Sequence, residues 1–533
     1  MQYSFRAAAL LALGLATQAS LGHAQQALTF KPVTEAPAPD TSETPAPLTP
    51  MRDIEAAWAQ KNYAFVRAQL LRHVEETDQP LAQYRYGRVL LEAIGGPRDL
   101  EGAAFWLEKA ASQKYAPAEN LLARLYLSAP KDSGLHKPER AVKLFASAAA
   151  RGVAESQYYM GIIHRDGIAV EPDAEVAFNW LLAAAEQNHE KAQLAVSRAY
   201  ARGGGVAQNA DSAVQWLTQA AENGHVQAQF NLARAYDEGR GVEQDRARSL
   251  KWLTSAAEAG HLLSQRALGR RYLTGDDVAA DSAAAMTWLS TAAKRGDVVA
   301  MTLLGDAFGG DYGIAKDAEN AWAWYSKASD AEYGRATSAV ADMLARGDGR
   351  PVDMAAAVKT YRKALEQGYA PAQIALGQLA GQGKLDGMIA PHIAVPWAVA
   401  AATEGDVAAR EWLQIQAEAD IRPAQTAWAI WLVEQERKPD VALPFLTKAA
   451  QAGDTEAQFR LGQMLTRGEG GEQDYIQAHA WLNIAATGGR AEAADLRTTV
   501  TELMTLEEVA EAQTIARDFF EQAASQLPKG VSQ

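Results

Sequence analysis

Tryptophan recurs every 36 residues, at Trp180, Trp216, Trp252, Trp288 and Trp324. The surrounding text recurs with it: WLTQAAENGH (216–225), WLTSAAEAGH (252–261), WLSTAAKRGD (288–297). The register runs back to Leu144 and on to Thr360. Trp106, Trp397, Phe445 and Trp481 carry it outward with small slips. A fixed period of this length marks a supersecondary unit that cannot bury its apolar face alone and must stack on a copy of itself.

The unit can be read residue by residue. Asp173, Asn209, Asp245, Asp281, Asp317 and Asp353 stand seven residues before the anchor, and Asp99 and Asp474 hold the same place in outer units. A short polar side chain there accepts from the free N–H groups of a first helical turn, so each reads as an N-cap. In the Trp216 unit, Ala213, Leu217, Ala220 and Ala221 form an apolar stripe of helical period around the anchor. Gly224, Gly260, Gly296, Gly368, Gly405, Gly453 and Gly489 stop these helices. Asn188 and Glu332 stand at the stop without being glycine; asparagine tolerates the left-handed conformation, glutamate less well. A second helix follows at once, as in AQFNLARAYDEGRGV (228–242) and AQFRLGQMLTRGEGG (457–471). Leu232, Leu268, Leu304 and Leu376 are its core positions. Ala233, Gly269, Gly305 and Gly377 come next, small enough to admit a neighbouring helix. The expected fold is all-α: an α/α superhelical solenoid of about eleven helix-turn-helix repeats with terminal capping helices.

The 36-residue unit, its W-L-x-x-A-A-x-x-G core, the A-Q-x-x-L-G-x-x-Y second helix and the G-x-G-V loop resemble Sel1-like repeats, relatives of the TPR. The resemblance covers roughly 80–510. It implies an adaptor or scaffold; exported bacterial members resemble factors in envelope assembly, exopolysaccharide secretion and its regulation, and host interaction. The cysteine-free body departs from the disulfide-stapled exported branch, so that branch's β-lactam binding is not carried over.

A chain of 533 residues exceeds one compact core, and a stacked array accommodates it. Residues 1–24 read as a signal peptide, with Arg6, the apolar block 7–16 and Gly22-His23-Ala24 before the cut. Residues 25–50 read as a Pro-rich disordered linker. A TPR-like capping pair is expected at 51–79, the array at 80–380, an irregular junction at 381–440, further Sel1-like repeats at 441–500, and a capping helix and tail at 501–533. Thr505 with Glu508 forms a capping box for that last helix. No segment after the signal is long and apolar enough to span a membrane, and there is no lipobox cysteine, so the expected location is periplasmic or secreted.

Composition narrows the function. A net charge of −14 argues against a general nucleic-acid binder. Without cysteine there is no thiolate nucleophile and no Cys-based metal site. His189, His225 and His261 share a repeat position, but equivalent positions on stacked helices lie about 8–10 Å apart, too far to share one ion; they read as polar turn residues. HEKAQ (189–193) lacks the second histidine of a zincin. GQGKL (381–385) has Leu385 where a P-loop needs Ser or Thr, and Ser128 to Lys131 matches S-x-x-K without its partner motifs. No catalytic, metal-binding or cofactor-binding residue is nominated, and the expected protein is not an enzyme.

The remaining surface suggests binding. The −1 and +3 neighbours of the anchors flank the apolar stripe, where related solenoids line their concave face. They include Asn179, Gln215, Gln219, Lys251, Lys327, Lys359 and Lys363, and they are the candidate partner-binding residues. At the junction, the loop 381–397 is long, and Ala408–Trp412 and Ala424–Leu432 both read as second helices without a full first helix between them. Trp397, Trp412, Trp428 and Trp431 cluster there; Trp428 and Trp431 are either partner anchors or core filling. The expected function is a non-enzymatic envelope scaffold that binds protein partners, with a glycan or peptidoglycan-strand binder as the alternative. Glycan sites stack sugars on aromatic faces, and the −1 and +3 positions from Asn179 to Lys363 hold none.

Overall fold

The computed structural model describes residues 47–525; the stretches expected as signal peptide and tail, and most of that expected as linker, lie outside them. Every regular element among the described residues is helical, chiefly helices of 10–14 residues. The chain divides into two compact units, one ending at Ser264 and one beginning at Gln265.

In the first unit, residues 47–50 run along the helix Tyr63–Glu76. The Thr49 hydroxyl donates to Gln69 at 2.7 Å, and the His73 ring lies 2.6 Å from the Thr49 carbonyl oxygen. Val66, Leu70 and Val74 close the core beneath. First and second helices then alternate to Ser264. In the second unit, the alternation runs to the helix Ala491–Thr501 with one irregularity. The helix Leu506–Ser525 closes the unit, with Trp481 edge-on to Phe519 at 5.6 Å.

The caps form as the sequence implies. All eight Asp and Asn residues at the anchor −7 place accept from the N–H three residues on, at 2.8 to 3.0 Å. Glu508 accepts from both the amide and the hydroxyl of Thr505, which completes the capping box. The stop residues all take positive φ, Asn188 at 62° and Glu332 at 60° included.

The stripe residues Ala213, Leu217, Ala220 and Ala221 are buried. The tryptophan anchors from Trp180 to Trp324 are half-buried, and those at Trp216 and Trp252 pack backwards. Trp216 lies against the cluster of Phe178, Leu181 and Val196 in the preceding repeat, and Trp252 against Leu194, Leu217 and Leu232. At Trp216 and Trp252 the recurring indole fills the core of the repeat before it.

The small residue of the second helix receives the first helix that follows. A Cβ on Gly161 would stand 2.5 Å from Leu181 Cγ, and one on Gly269 2.7 Å from Leu289 Cγ. Every repeat keeps Gly, Ala or Ser here: Gly87, Ala123, Gly161, Ser197 and Ala233 in the first unit, Gly269, Gly305, Ala341, Gly377, Ala429 and Gly462 in the second.

His189 and His225 are N-caps of second helices. Their Nδ1 atoms accept from the amides of Ala192 and Ala228 at 3.2 Å, and His261 does the same for Ser264 at 3.3 Å. Asp297, Asp406 and Asp454 cap from the same register. A cap that accepts through Nδ1 requires an imidazole unprotonated at that atom. Burial holds the His225 pKa below its ordinary value. Below about pH 6.5, the ordinary histidine pKa, the unfolded chain therefore takes up a proton that the folded chain refuses. Stability falls as pH is lowered through that range. Thermal melts should show a lower midpoint at pH 5.5 than at pH 7.5. His225→Asp, which caps without a titrating ring, should recover part of the difference, on the order of 1 kcal/mol. An identical pH response in the variant would count against the cap.

The irregularity is an extra helix. Pro391–Thr403, Val407–Glu418 and Arg422–Trp431 follow one another before the first helix Pro439–Gln451. Val407–Glu418 packs against both of its neighbours, and a π-turn at Leu432–Glu436 ends the Arg422 helix. Trp428 and Trp431 stack with centroids 5.2 Å apart and planes 9° from parallel. They are 5% and 8% exposed, inside the same core as Trp397 and Trp412. The reading of these two as surface anchors for a partner is corrected: a joint between three helices leaves a wide interior, and paired indoles fill it.

Candidate binding cleft

The candidate residues on the first helices do not behave alike. In the first unit Asn179, Gln215, Gln219 and Lys251 are exposed beside half-buried indoles, and the Lys251 ammonium lies 5.9 Å from the Trp252 ring centroid. In the second unit Lys327 folds over Trp324 at 4.4 Å. That cation–π contact occupies the lysine. The half-buried indoles qualify the sequence expectation: the −1 and +3 places from Asn179 to Lys363 carry no aromatics, yet an aromatic edge lies beside them, and Phe105 at the −1 place of Trp106 is 52% exposed.

Lys359 and Lys363 are different. They sit on the helix Met354–Glu366, which Asp353 caps. With Arg362 they line a cleft of about 810 Å³, whose opposite wall is Met388 and Ile389. These come from the long turn that follows the helix Pro371–Gly381. The turn is built rather than loose. Leu385 is buried in the core, the amides of Met388 and Ile389 each donate to its carbonyl at 3.1 Å, and the Lys384 amide donates to the Leu379 carbonyl at 3.0 Å. Leu385, the residue that disqualifies GQGKL as a P-loop, is the plug that fixes this turn. The sequence marks the turn as unusually long; nothing local in it says that it returns to a helix some 25 residues upstream.

The cleft is positive in a chain of net charge −14. Lys359, Arg362 and Lys363 recur at i, i+3 and i+4, so their heads share one face. None makes an ion pair with another described residue. Other cations of this unit do form ion pairs, as Lys316 with Asp348 at 2.6 Å and Arg335 with Asp306 at 2.7 Å. Glu366 is the one acid lining the cleft. Val358 and the stems of the basic side chains continue the apolar surface of Met388, which is 45% exposed.

A second, smaller cavity of about 440 Å³ lies between the helices Tyr475–Thr487, Ala491–Thr501 and Leu506–Ser525. Its polar groups serve the fold. Arg497 donates to Asn483 at 2.5 Å, and the Thr498 and Thr501 hydroxyls donate to the carbonyls of Ala494 and Arg497. Burial and then Arg497 hold the His479 pKa down. Among the described residues no three His, Asp or Glu side chains gather where one metal ion could sit, and no helix is long and apolar enough to cross a membrane.

A family model described as Sel1 repeat matches nine consecutive or separate units: 80–115, 116–153, 154–189, 190–225, 226–261, 262–297, 298–333, 334–369 and 455–489. The sequence period counts about eleven; the unmatched stretch, 370–454, contains the three-helix junction. Among solved structures, a protective antigen of uropathogenic Escherichia coli with an SLR fold is 27% identical, at TM-score 0.56 over 88% of this chain and 98% of that one. A Sel1 repeat protein from Oxalobacter formigenes is 30% identical over 66% of this chain and 97% of its own, at TM-score 0.43. Chitin synthase regulatory factor 3 of Schizosaccharomyces pombe is 34% identical over 110 residues, which is 21% of this chain and only 11% of that protein's length.

Proposed function

Because the chain belongs to the Sel1 repeat family, we propose that it is an exported, non-enzymatic scaffold that binds protein partners in the bacterial cell envelope, with a role in exopolysaccharide assembly or its regulation. The observation that carries the partner-binding reading is the cleft at Lys359, Arg362 and Lys363: a built, unmatched basic surface on a repeat array. Repeat arrays present extended surfaces that suit a partner chain. The N-terminal sequence supports export, through a charged start, a short apolar block and a small-residue cut site. The name of the chitin synthase regulatory factor supports a place beside polysaccharide synthesis, through a match to a short part of that protein.

The half-buried indoles along the first helices favour a second reading, in which the array holds a glycan strand directly. Cross-linking in the native envelope, followed by mass spectrometry, separates the two. The scaffold reading expects a small, reproducible set of captured proteins, with links on 179–363. Retention on purified cell wall or exopolysaccharide with no specific protein captured would replace it with the glycan reading.

A further inference from the structure

We infer that the cleft between the helix Met354–Glu366 and the 382–390 turn receives an acidic segment of the partner protein, one that carries an apolar side chain among its carboxylates. This rests on the scaffold reading and names the chemistry of its partner. Lys359, Arg362 and Lys363 offer three neighbouring cations, none of them in an ion pair, against the single carboxylate of Glu366. In a chain of net charge −14 such an island is a local exception, and charge complementarity of this kind selects partners and speeds their encounter.

The floor adds a second requirement. Met388 is 45% exposed and Ile389 lies beside it, held by a turn that Leu385 pins into the core. Methionine adapts its shape to an entering side chain, so the cleft has a place for one Leu, Ile, Met or Phe between the carboxylates. No aromatic ring lines it, which disfavours an acidic glycan, whose sugars would look for a stacking face. An extended nucleic acid would meet the negative charge of the rest of the chain. Glu366 at the edge repels a carboxylate placed there, which sets the segment's register toward Lys359.

The test is to pan a random peptide library against the mature full chain, in parallel with Lys359→Gln/Arg362→Gln/Lys363→Gln and with Met388→Ser. These side chains are exposed or at the cleft surface, and matching thermal melts would establish that the variants fold. The expected result is enrichment of peptides rich in Asp and Glu around an apolar residue. Their binding should fall about tenfold in the triple variant, fall again with added salt, and weaken in Met388→Ser. Enriched peptides without acidic bias, or binding that survives the triple substitution, would overturn the inference. So would a polyuronate oligosaccharide that binds the wild type and is lost in the triple variant while acidic peptides do not bind. The scaffold reading is judged separately: proteins captured in the envelope without acidic-peptide binding would leave it standing and sink only the cleft.

Discussion

Alanine at Gly377 lowers stability by about 3 kcal/mol, although alanine is the better helix former. Propensity alone predicts a gain of about 1 kcal/mol for Gly→Ala inside a helix. The packing outweighs it. A Cβ on Gly377 would stand 2.1 Å from the Trp397 carbonyl oxygen and 2.7 Å from Ala401 Cβ. The obstacle is helix backbone, which can yield only if the helix Pro391–Thr403 moves off its neighbour, and overpacking of that kind costs about 1–3 kcal/mol or more. Gly269 is the control. Its Cβ would meet mainly the Leu289 side chain at 2.7 Å, and Ala233 and Ala341 already occupy the same repeat position. Gly269→Ala should therefore cost about 1 kcal/mol or less. Urea unfolding of the two variants should rank them in that order. Equal effects, or a stabilised Gly377→Ala, would show that helix approach at the small residue does not set the stacking distance.

Asp306→Ala lowers stability by about 2 kcal/mol, and adding Tyr325→Leu recovers more than half of it. Asp306 and Tyr325 are both buried, and the phenol donates to the carboxylate at 2.7 Å. Burial, followed by the Asp306 charge, pushes the Tyr325 pKa up, so the phenol stays protonated and remains a donor. Arg335 also bonds Asp306, but its side chain is part-exposed, and solvent offsets part of the loss of that contact. Removing the carboxylate strands a buried hydroxyl, at about 1–3 kcal/mol. In most repeats this place holds leucine, as at Leu181, Leu217, Leu253, Leu289 and Leu482, and no acid follows the small residue. Tyrosine appears at Tyr325 and Tyr361, and there Asp306 and Asp342 follow Gly305 and Ala341. The double substitution returns the repeat to the leucine form. Strictly additive losses in a double-mutant cycle would refute the coupling.

Much of this fold is legible in the chain because each repeat states its own boundaries. The caps at Asp173 and its equivalents, the stop at Gly224 and the small residue at Ala233 are local signals, and local signals survive in sequence. The histidine caps carry a weaker signal, because histidine is an uncommon cap. Asp297, Asp406 and Asp454 mark the same register with an ordinary cap residue. What could not be read is tertiary. Trp428 and Trp431 are ambiguous in sequence because an indole suits either an interface or a wide core, and the extra helix Val407–Glu418 decides between them. Lys359 and Lys363 were visible as exposed lysines on a first helix. Their meeting with Met388 depends on a turn that folds back across the helix face, and no periodic pattern encodes that.

The most direct test places a photo-activated cross-linking side chain at position 363 of the full chain in the native envelope, with position 222 on another exposed first-helix surface as the control. The account predicts capture of one protein at 363 and not at 222, with the linked peptide rich in Asp and Glu. Capture of glycan alone, or the same proteins from both positions, would contradict it.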